Sequence, residues 1–253
     1  MRVLLIPGWN ESDNAMRIFD EGRHGLPGLT ARGYRCALFG GGTGSLRDRI
    51  DQLAAFAAGV TAADPTNEPL VLFGYSAGGV LARALVRAGS RERVAAIFQL
   101  AAPNAGICTD DLSGVMHRLH FSKSVIEDLD IESDFMQWLN GAGGRWERDA
   151  STGQKRWRLD KKPWVMADGI PIFNLIGRVP RYHYAGDGIV LVDSATLDGA
   201  LPHAFVDDAR ANHLNLSGSW NPMTLVVRRW LWDDRLWPRA VEEAAKFFST
   251  SAS

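Results

Sequence analysis

The hydrophobic positions of this chain form short apolar runs that alternate with amphipathic stretches. Short, largely apolar runs of this length are typical of strands buried in a sheet that is covered on both faces. They lie at 3–6, 34–39, 70–73, 94–100, 170–176 and, more weakly, 204–206. Helical spacing is clearest between the second and third runs, at Leu46, Ile50, Leu53 and Ala57. This alternation predicts an α/β fold in which a mostly parallel sheet is covered by helices on both faces.

Further helices are predicted around these runs. A polar segment after the first run has helical spacing at Met16 and Phe19, and a helix from Ala77 to about Ala88 follows the third run. The apolar periodicity of 223–232 and 240–248 predicts that helices close the chain.

The segment from about Asn104 to Asp168 interrupts the alternation. It holds apolar-periodic stretches at 115–119 and 125–139, and then two short runs on either side of a polar turn at 151–153. Those two runs predict a hairpin. The many tryptophans and leucines of the segment predict a folded cap, inserted into a single domain that spans 1–253.

Composition narrows the classes of function. The chain has 253 residues, 46% of them hydrophobic, and its 28 basic and 29 acidic residues leave a net charge of −1. This balance gives no reason to expect nucleic acid or an anionic membrane as the main partner. No apolar run approaches the roughly 18 residues of a transmembrane helix.

The N-terminus and the cysteines indicate in which cellular compartment the protein is expected. The first apolar run is too short for the core of a signal peptide, so we expect a strand there and a cytoplasmic protein. Cys36 and Cys108 lack the spacing of metal ligands and are expected to be free thiols.

A small-residue motif surrounds one serine at a strand-to-helix junction. The third apolar run leads into Gly74-Tyr75-Ser76-Ala77-Gly78, which fits G-x-S-x-G, the pattern of a nucleophile elbow. The serine of such an elbow sits on a strained turn, and larger flanking side chains would collide with the neighbouring strand and helix. Ser76 is then presented at the carboxyl edge of the sheet. The N–H of Ala77, at the start of the helix, is placed to bind an oxyanion.

On this motif and its context, the chain resembles the α/β-hydrolase superfamily, especially its smaller lipases and esterases. The resemblance covers most of the chain outside the insertion and implies an α/β-hydrolase fold with an inserted cap. It also implies an acid after a late strand, a histidine near the C-terminus and a second oxyanion donor after the first strand. The Trp9 N–H would be that donor, although Pro7 stands where such lipases commonly carry histidine.

The resemblance implies a candidate acid. The segment Gly186-Asp187-Gly188-Ile189-Val190 is similar to the Gly-Asp-Gly-Val-Val segment of many lipases and thioesterases. Its flanking glycines let a carboxylate turn back over the strand ends. Asp187 is therefore the candidate acid, with Asp193 as its rival.

The candidate base lies further along the chain. His213 is in a polar loop after the weak sixth run, where the superfamily places its histidine. His203 is the rival, but it precedes that run, whereas His213 follows it. His183, in the loop before the candidate acid, and Tyr75 are candidates for substrate contact.

Neither a metal nor an organic cofactor is implied. The glycine-rich segment 40–44 lacks the Lys-Ser/Thr ending of a phosphate-binding loop. It fits a strand-to-helix connection with Thr43 or Ser45 as N-cap. His117 and His120 are three residues apart, but no further ligand is arranged around them, which favours an exposed cap helix.

These residue types predict a serine hydrolase that forms an acyl-enzyme on Ser76 and acts on a small-molecule carboxylic ester. His213 would take the serine proton, Asp187 would orient the imidazole, and the N–H groups of Trp9 and Ala77 would hold the oxyanion. A thioesterase, amidase or acyltransferase would use the same residues. A non-catalytic binding protein of the same fold is the alternative from another class.

The hairpin of the insertion has two interpretations. Seven basic and three acidic residues lie between Arg145 and Lys162, around Trp146 and Trp157. The tryptophans either pack the hairpin onto the cap or line the mouth of the pocket as substrate-binding residues. In the second case the basic residues would face an anionic group or, peripherally, a lipid surface. Both interpretations stay open at this point.

Overall fold

The computed structural model shows strands and helices alternating along the chain. It describes residues 1–8, 13–40, 42–63, 66, 68–90, 94–108, 123–148, 150, 155–166, 169–179, 186–208, 211, 213, 216 and 236–251. The strands are β1 (Arg2–Ile6), β2 (Gly22–Arg23), β3 (Leu26–Pro27), β4 (Arg35–Leu38), β5 (Leu70–Tyr75), β6 (Val94–Leu100), β7 (Gly144–Arg148), β8 (Lys155–Leu159), β9 (Ile172–Arg178) and β10 (His203–Asp207). The α-helices are α1 (Asp13–Glu21), α2 (Leu46–Ala62), α3 (Ala77–Arg87), α4 (Lys123–Leu129), α5 (Asp134–Asn140), α6 (Val192–Thr196) and α7 (Leu236–Ser251).

Six strands form the central sheet, in the order β10–β9–β6–β5–β1–β4. Every pairing within it is parallel, so the carboxyl ends of the strands meet at one edge. All residues of β5, near the middle of the sheet, are buried, as its continuous apolar run predicts. The predicted parallel sheet is confirmed.

Two apolar layers cover the faces of the sheet. Alternate residues of a strand point to opposite faces. On β5, Leu70 and Leu72 pack with residues of α2 and α3, whereas Val71, Phe73 and Tyr75 pack with residues of α1 and α7. Helices therefore lie on both faces, and Tyr75 extends the α1–α7 face up to the carboxyl edge.

The start of α2 resolves the role of the glycine-rich segment before it. Ser45 is the N-cap: its hydroxyl accepts a hydrogen bond from the Asp48 N–H at 3.2 Å. The Asp48 carboxylate in turn accepts the Ser45 N–H at 2.9 Å, which completes a capping box. The predicted strand-to-helix connection is confirmed, with Ser45 rather than Thr43 as the cap.

The segment between β6 and β9 contains α4, α5 and the antiparallel β7–β8 hairpin. The apolar stretch 125–139 divides into two helices because Ser133 caps α5, accepting the N–H of Met136 at 3.1 Å. The hairpin pairs Trp146 with Trp157, as the two short runs predict. Apolar residues of both helices and of β8 pack in the core cluster that contains α2 and α3. The predicted stretches 115–119 and 223–232 lie outside the described residues.

Candidate active site

Ser76 lies on a strained turn between β5 and α3. Its φ of 53° and ψ of −124° belong to a region that residues other than glycine rarely adopt. The Ser76 N–H donates to the carbonyl oxygen of Leu100 at 2.9 Å, and its own carbonyl oxygen accepts the N–H of Gly79 at 2.9 Å. The turn is thus held from two sides and leaves the half-buried serine at the carboxyl edge of the sheet.

The glycines of the motif are required by close backbone approach. A Cβ on Gly74 would lie 2.4 Å from the carbonyl oxygen of Gly78, and one on Gly78 would lie 2.2 Å from that of Ile6 in β1. Both neighbours are backbone atoms of packed elements and cannot move aside cheaply. The predicted collision of larger flanking side chains with the adjacent strand and helix is confirmed.

His213 places its imidazole between Ser76 and Asp187. Its Nε2 lies 2.8 Å from Ser76 Oγ, and its Nδ1 lies 2.7 Å from Asp187 Oδ2. An imidazole protonated at Nδ1 fits both contacts, because it donates to the carboxylate and accepts from the serine hydroxyl. The side chains of His213 and Asp187 are buried. The structure therefore brings together the three residues named from the sequence as nucleophile, base and acid.

The Asp187 carboxylate is held by the turn that begins with it. Its Oδ1 accepts the N–H groups of Ile189 at 3.0 Å and Val190 at 2.8 Å. Hydrogen bonds from N–H groups to an ionised oxygen are among the stronger ones in proteins. The flanking glycines permit the turn: a Cβ on Gly186 would lie 2.2 Å from the Val190 carbonyl oxygen, and Gly188 has a φ of 95°.

The two rival residues lie elsewhere. His203 is the first residue of β10, the edge strand that β9 and β6 separate from β5 and Ser76. Its Nδ1 is 2.7 Å from the carbonyl oxygen of Leu201. Asp193 is in the first turn of α6. The pKa of Arg158 is raised mainly by the charge of Asp198 and to a smaller extent by that of Asp193.

Solved structures with the same architecture identify the fold. No family model matches the chain, and neither does any curated protein sequence. The mature form of the Bacillus licheniformis lipase BlEst2 superposes with a TM-score of 0.62 at 15% identity, over 99% of this chain and 91% of that one. A soluble variant of the Saccharomyces cerevisiae monoglyceride lipase, in complex with a substrate analog, gives 0.59 at 12% identity, over 99% and 86%. The metagenomic carboxyl esterase MGS0156 gives 0.57 at 16% identity, over 100% and 76%.

The chain has the α/β-hydrolase fold. The fold expected from the elbow motif is thereby confirmed. In this α/β-hydrolase fold the serine turn follows the central strand β5, and Ala77 begins the helix behind it. The N–H of Ala77 is one of the first four of a helix, which have no partner within the helix. It is therefore suited to bind a negatively charged oxygen next to Ser76.

Of the five other predicted residues, two have buried side chains, and three cannot be placed from the described side chains. Tyr75 is only 2% exposed, and its hydroxyl donates to the backbone carbonyl of His213 at 2.7 Å. Trp157 is 2% exposed and packs in the core cluster of α2 and α3. These positions favour a positioning role for Tyr75 and a packing role for Trp157 over contact with substrate. Trp9, His183 and the side chain of Trp146 lie outside the described residues.

A buried polar network beneath the elbow of this α/β-hydrolase fold was not predicted. Gln99 donates to the carbonyl oxygen of Gly79 at 2.8 Å and to the Asn104 side-chain oxygen at 2.9 Å. Asn104 and Asn174 both donate to the carbonyl oxygen of Ala195, at 2.9 and 3.0 Å. These amides join the first turn of α3 to α6 by way of Gln99, near the end of β6, and Asn174, within β9. The signal for two of them was a polar residue inside an otherwise apolar run, since such residues need partners when buried.

A metal site requires clustered ligands, and a membrane-spanning helix requires a long apolar stretch. Within them, no group of three or more His, Cys, Asp or Glu side chains is placed to hold a metal ion. No helix of that part of the chain is long and apolar enough to span a membrane. Cys36 and Cys108 form no disulfide. His117 and His120 are not among the described residues.

Proposed function

We propose that this protein is a serine hydrolase that cleaves carboxylic esters through an acyl-enzyme on Ser76. The observation that carries the proposal is the continuous hydrogen-bonded array from Ser76 through His213 to Asp187 on a strained turn. A base within 2.8 Å of a serine hydroxyl, itself oriented by a buried carboxylate, meets the requirements for an activated nucleophile. The lipases and the carboxyl esterase that share the fold support esters as the substrate class.

Acylation begins when Ser76 Oγ bonds to the ester carbonyl carbon and His213 Nε2 takes the hydroxyl proton. The carbonyl electrons move to oxygen, and the Ala77 N–H donates to the resulting oxyanion. We assign the second donor to the Trp9 N–H. When the oxyanion collapses, the bond to the leaving oxygen breaks, and His213 transfers its proton to the departing alcohol.

Deacylation repeats these steps with water. His213 takes a proton from a water molecule as its oxygen bonds to the acyl carbon, and a second oxyanion forms. Collapse breaks the bond to Ser76 Oγ, which regains the proton from His213, and the carboxylic acid leaves. Asp187 accepts the Nδ1–H throughout and stabilises the imidazolium. The chain, the ester and water supply every atom and proton of this cycle.

We also propose that the insertion at 104–168 belongs to the same single domain and serves as its cap. Arg83, on the helix that starts behind Ser76, donates hydrogen bonds to Asn104, Asn140 and Trp164. These acceptors lie at the beginning, middle and end of the insertion. Attachment to the nucleophile helix supports a role of the insertion in shaping the site.

Labelling and hydrolysis test the proposal together. A fluorophosphonate probe should modify Ser76, and p-nitrophenyl esters of graded chain length should be hydrolysed. Acyl-CoA thioesters of matching length test the thioesterase alternative. Ser76→Ala should abolish labelling and lower kcat by on the order of 10⁴-fold or more.

The histidines supply a matched pair for the same assay. His213→Ala should lower kcat by orders of magnitude, whereas His203→Ala should leave it near the wild-type value because His203 lies on the edge strand β10, with β9 and β6 between it and β5. Labelling at another serine, together with an active Ser76→Ala variant, would refute the mechanism.

A further inference from the structure

The backbone of His213 is held on both sides by the residues that build the site. Its N–H donates to the backbone carbonyl oxygen of Asp187 at 3.0 Å. Its own carbonyl oxygen accepts the hydroxyl of Tyr75 at 2.7 Å. The second contact joins residues 138 positions apart in the chain, and it is buried.

Tyr75 is a rigid anchor for such a contact. It is the last residue of β5, a strand paired on both sides, and directly precedes Ser76. Its ring lies 5.4 Å from the His213 imidazole, centroid to centroid, with 32° between the planes. A buried tyrosine hydroxyl needs a hydrogen-bond partner. Here the partner is the main chain of the proposed base.

We infer that Tyr75 is a positioning residue, whose hydroxyl fixes the His213 backbone so that Nε2 stays within hydrogen-bond distance of Ser76 Oγ. Tyr75 directly precedes Ser76 at the end of β5. The proposed nucleophile and the residue that holds the backbone of the proposed base are therefore fixed to the same strand end. A displacement of about 1 Å would break the 2.8 Å contact and cost on the order of 100-fold in rate. The kinetic part of this inference rests on the proposed function.

The test removes one hydroxyl at a time. Tyr75→Phe keeps the ring and its volume but loses the donor to His213. Tyr34→Phe is the matched control: its hydroxyl also donates to a backbone carbonyl, that of Ala245 at 3.1 Å, and its ring packs on the same α1–α7 layer. Melting temperatures of both variants establish that they are folded.

We expect Tyr75→Phe to lower kcat about tenfold with KM within about twofold of wild type, because substrate contact is unchanged while the base is misplaced. The rate of fluorophosphonate labelling should fall by the same factor. Tyr34→Phe should leave both rates unchanged. Wild-type rates in Tyr75→Phe, or equal losses in the two variants, would overturn the inference.

A spectroscopic readout separates this inference from the proposed function. The His213 Nδ1 proton, bonded to the Asp187 carboxylate, should give a low-field proton resonance that is absent from His213→Ala. Its exchange with solvent should be faster in Tyr75→Phe than in wild type or Tyr34→Phe. If the wild-type protein hydrolyses no ester, the proposed function fails while this comparison still decides the role of Tyr75. Unchanged exchange in Tyr75→Phe would overturn that role.

Discussion

Asp187 contacts His213 at two points, once with its carboxylate and once with its backbone. Oδ2 lies 2.7 Å from Nδ1, and the Asp187 carbonyl oxygen accepts the His213 N–H at 3.0 Å. The other carboxylate oxygen, Oδ1, is occupied by the N–H groups of Ile189 and Val190. This arrangement fixes which oxygen faces the imidazole, so the outcome of an amide substitution can be derived.

Asp187→Asn should inactivate the protein without unfolding it. The two N–H groups require an oxygen at the Oδ1 position, so the new NH₂ group must face His213 Nδ1. Nδ1 must then accept, which leaves the imidazole proton on Nε2, where it cannot accept from Ser76. We expect kcat to fall by about 10⁴-fold, measured with a short p-nitrophenyl ester.

The control for this substitution is Asp193→Asn on α6, which we expect to remain within about twofold of wild type. A larger loss in Asp193→Asn than in Asp187→Asn would assign the acid to the rival residue.

Gly177 on β9 is a second position where the structure predicts an effect on the His213 segment. A Cβ at Gly177 would lie 2.2 Å from the carbonyl oxygen of Ala211 and 2.6 Å from a side-chain carbon of Leu216. Ala211 and Leu216 flank His213 in the chain, so Gly177→Ala should displace His213, the proposed base. We expect kcat to fall by on the order of 100-fold, with a stability loss of about 1–3 kcal/mol in chemical denaturation.

Gly59→Ala is the matched control for that substitution. Gly59 is inside α2, and a Cβ there meets no heavy atom within 4 Å. Alanine is the better helix former, so stability should rise by up to about 1 kcal/mol while kcat stays constant. Full activity of Gly177→Ala would contradict the prediction that a Cβ at Gly177 displaces the segment that carries His213.

The central strands of the sheet were predictable because they are mostly buried and therefore appear as short, largely apolar runs. The run 94–100 coincides with β6, whereas the run 170–176 begins two residues before β9, which ends with Gly177 and Arg178. The short helix α6 was missed because tertiary contacts, not local signals, hold it. The side chain of its N-cap residue, Leu191, makes no capping hydrogen bond. The carbonyl oxygen of Ala195 instead accepts hydrogen bonds from the side-chain amides of Asn104 and Asn174, which are distant in the chain.

The candidate site likewise contains some features that the sequence predicts and others that depend on tertiary contacts. The elbow is a local motif, since Gly74 and Gly78 are needed by the turn that they flank. Asp187 and His213 followed from the resemblance to a family. The Tyr75–His213 contact and the approach of Gly177 to Ala211 depend on how distant segments meet in space. No periodicity or spacing encodes them.

Trp157 is expected to contribute to stability rather than to substrate choice. Its side chain is buried in the core cluster of α2 and α3, and its ring lies where a Cβ on Gly144 would meet it at 2.7 Å. Trp157→Ala should lower the free energy of unfolding by about 3–5 kcal/mol. Trp157→Phe, which retains most of the apolar volume, should lose less.

The relative rates of the Trp157 variants with esters of different chain length should match those of wild type. A shift in chain-length preference at unchanged stability would instead assign Trp157 to the pocket.

Arg83 carries a charge in the core, and each of its hydrogen-bond acceptors among the described residues is neutral. It is 0% exposed, and its guanidinium donates to Asn104, to the Asn140 side chain and to the Trp164 carbonyl. Burial, and secondarily the charge of Arg87, lowers the pKa of Arg83 to about 9, so the group stays protonated at neutral pH.

Arg83→Met should remove the hydrogen bonds that connect α3 to the insertion. It leaves several buried oxygens without a donor, and we expect a loss of about 3 kcal/mol in chemical denaturation. Amide hydrogen exchange should increase most in the α5 end near Asn140 and around Trp164, whose N–H donates to the Asn140 carbonyl at 2.6 Å. Arg17→Met, which removes an exposed partner of Glu21 on α1, should have little effect. If exchange in Arg83→Met increased evenly over the whole chain, Arg83 would stabilise the core in general and would not attach the insertion to α3.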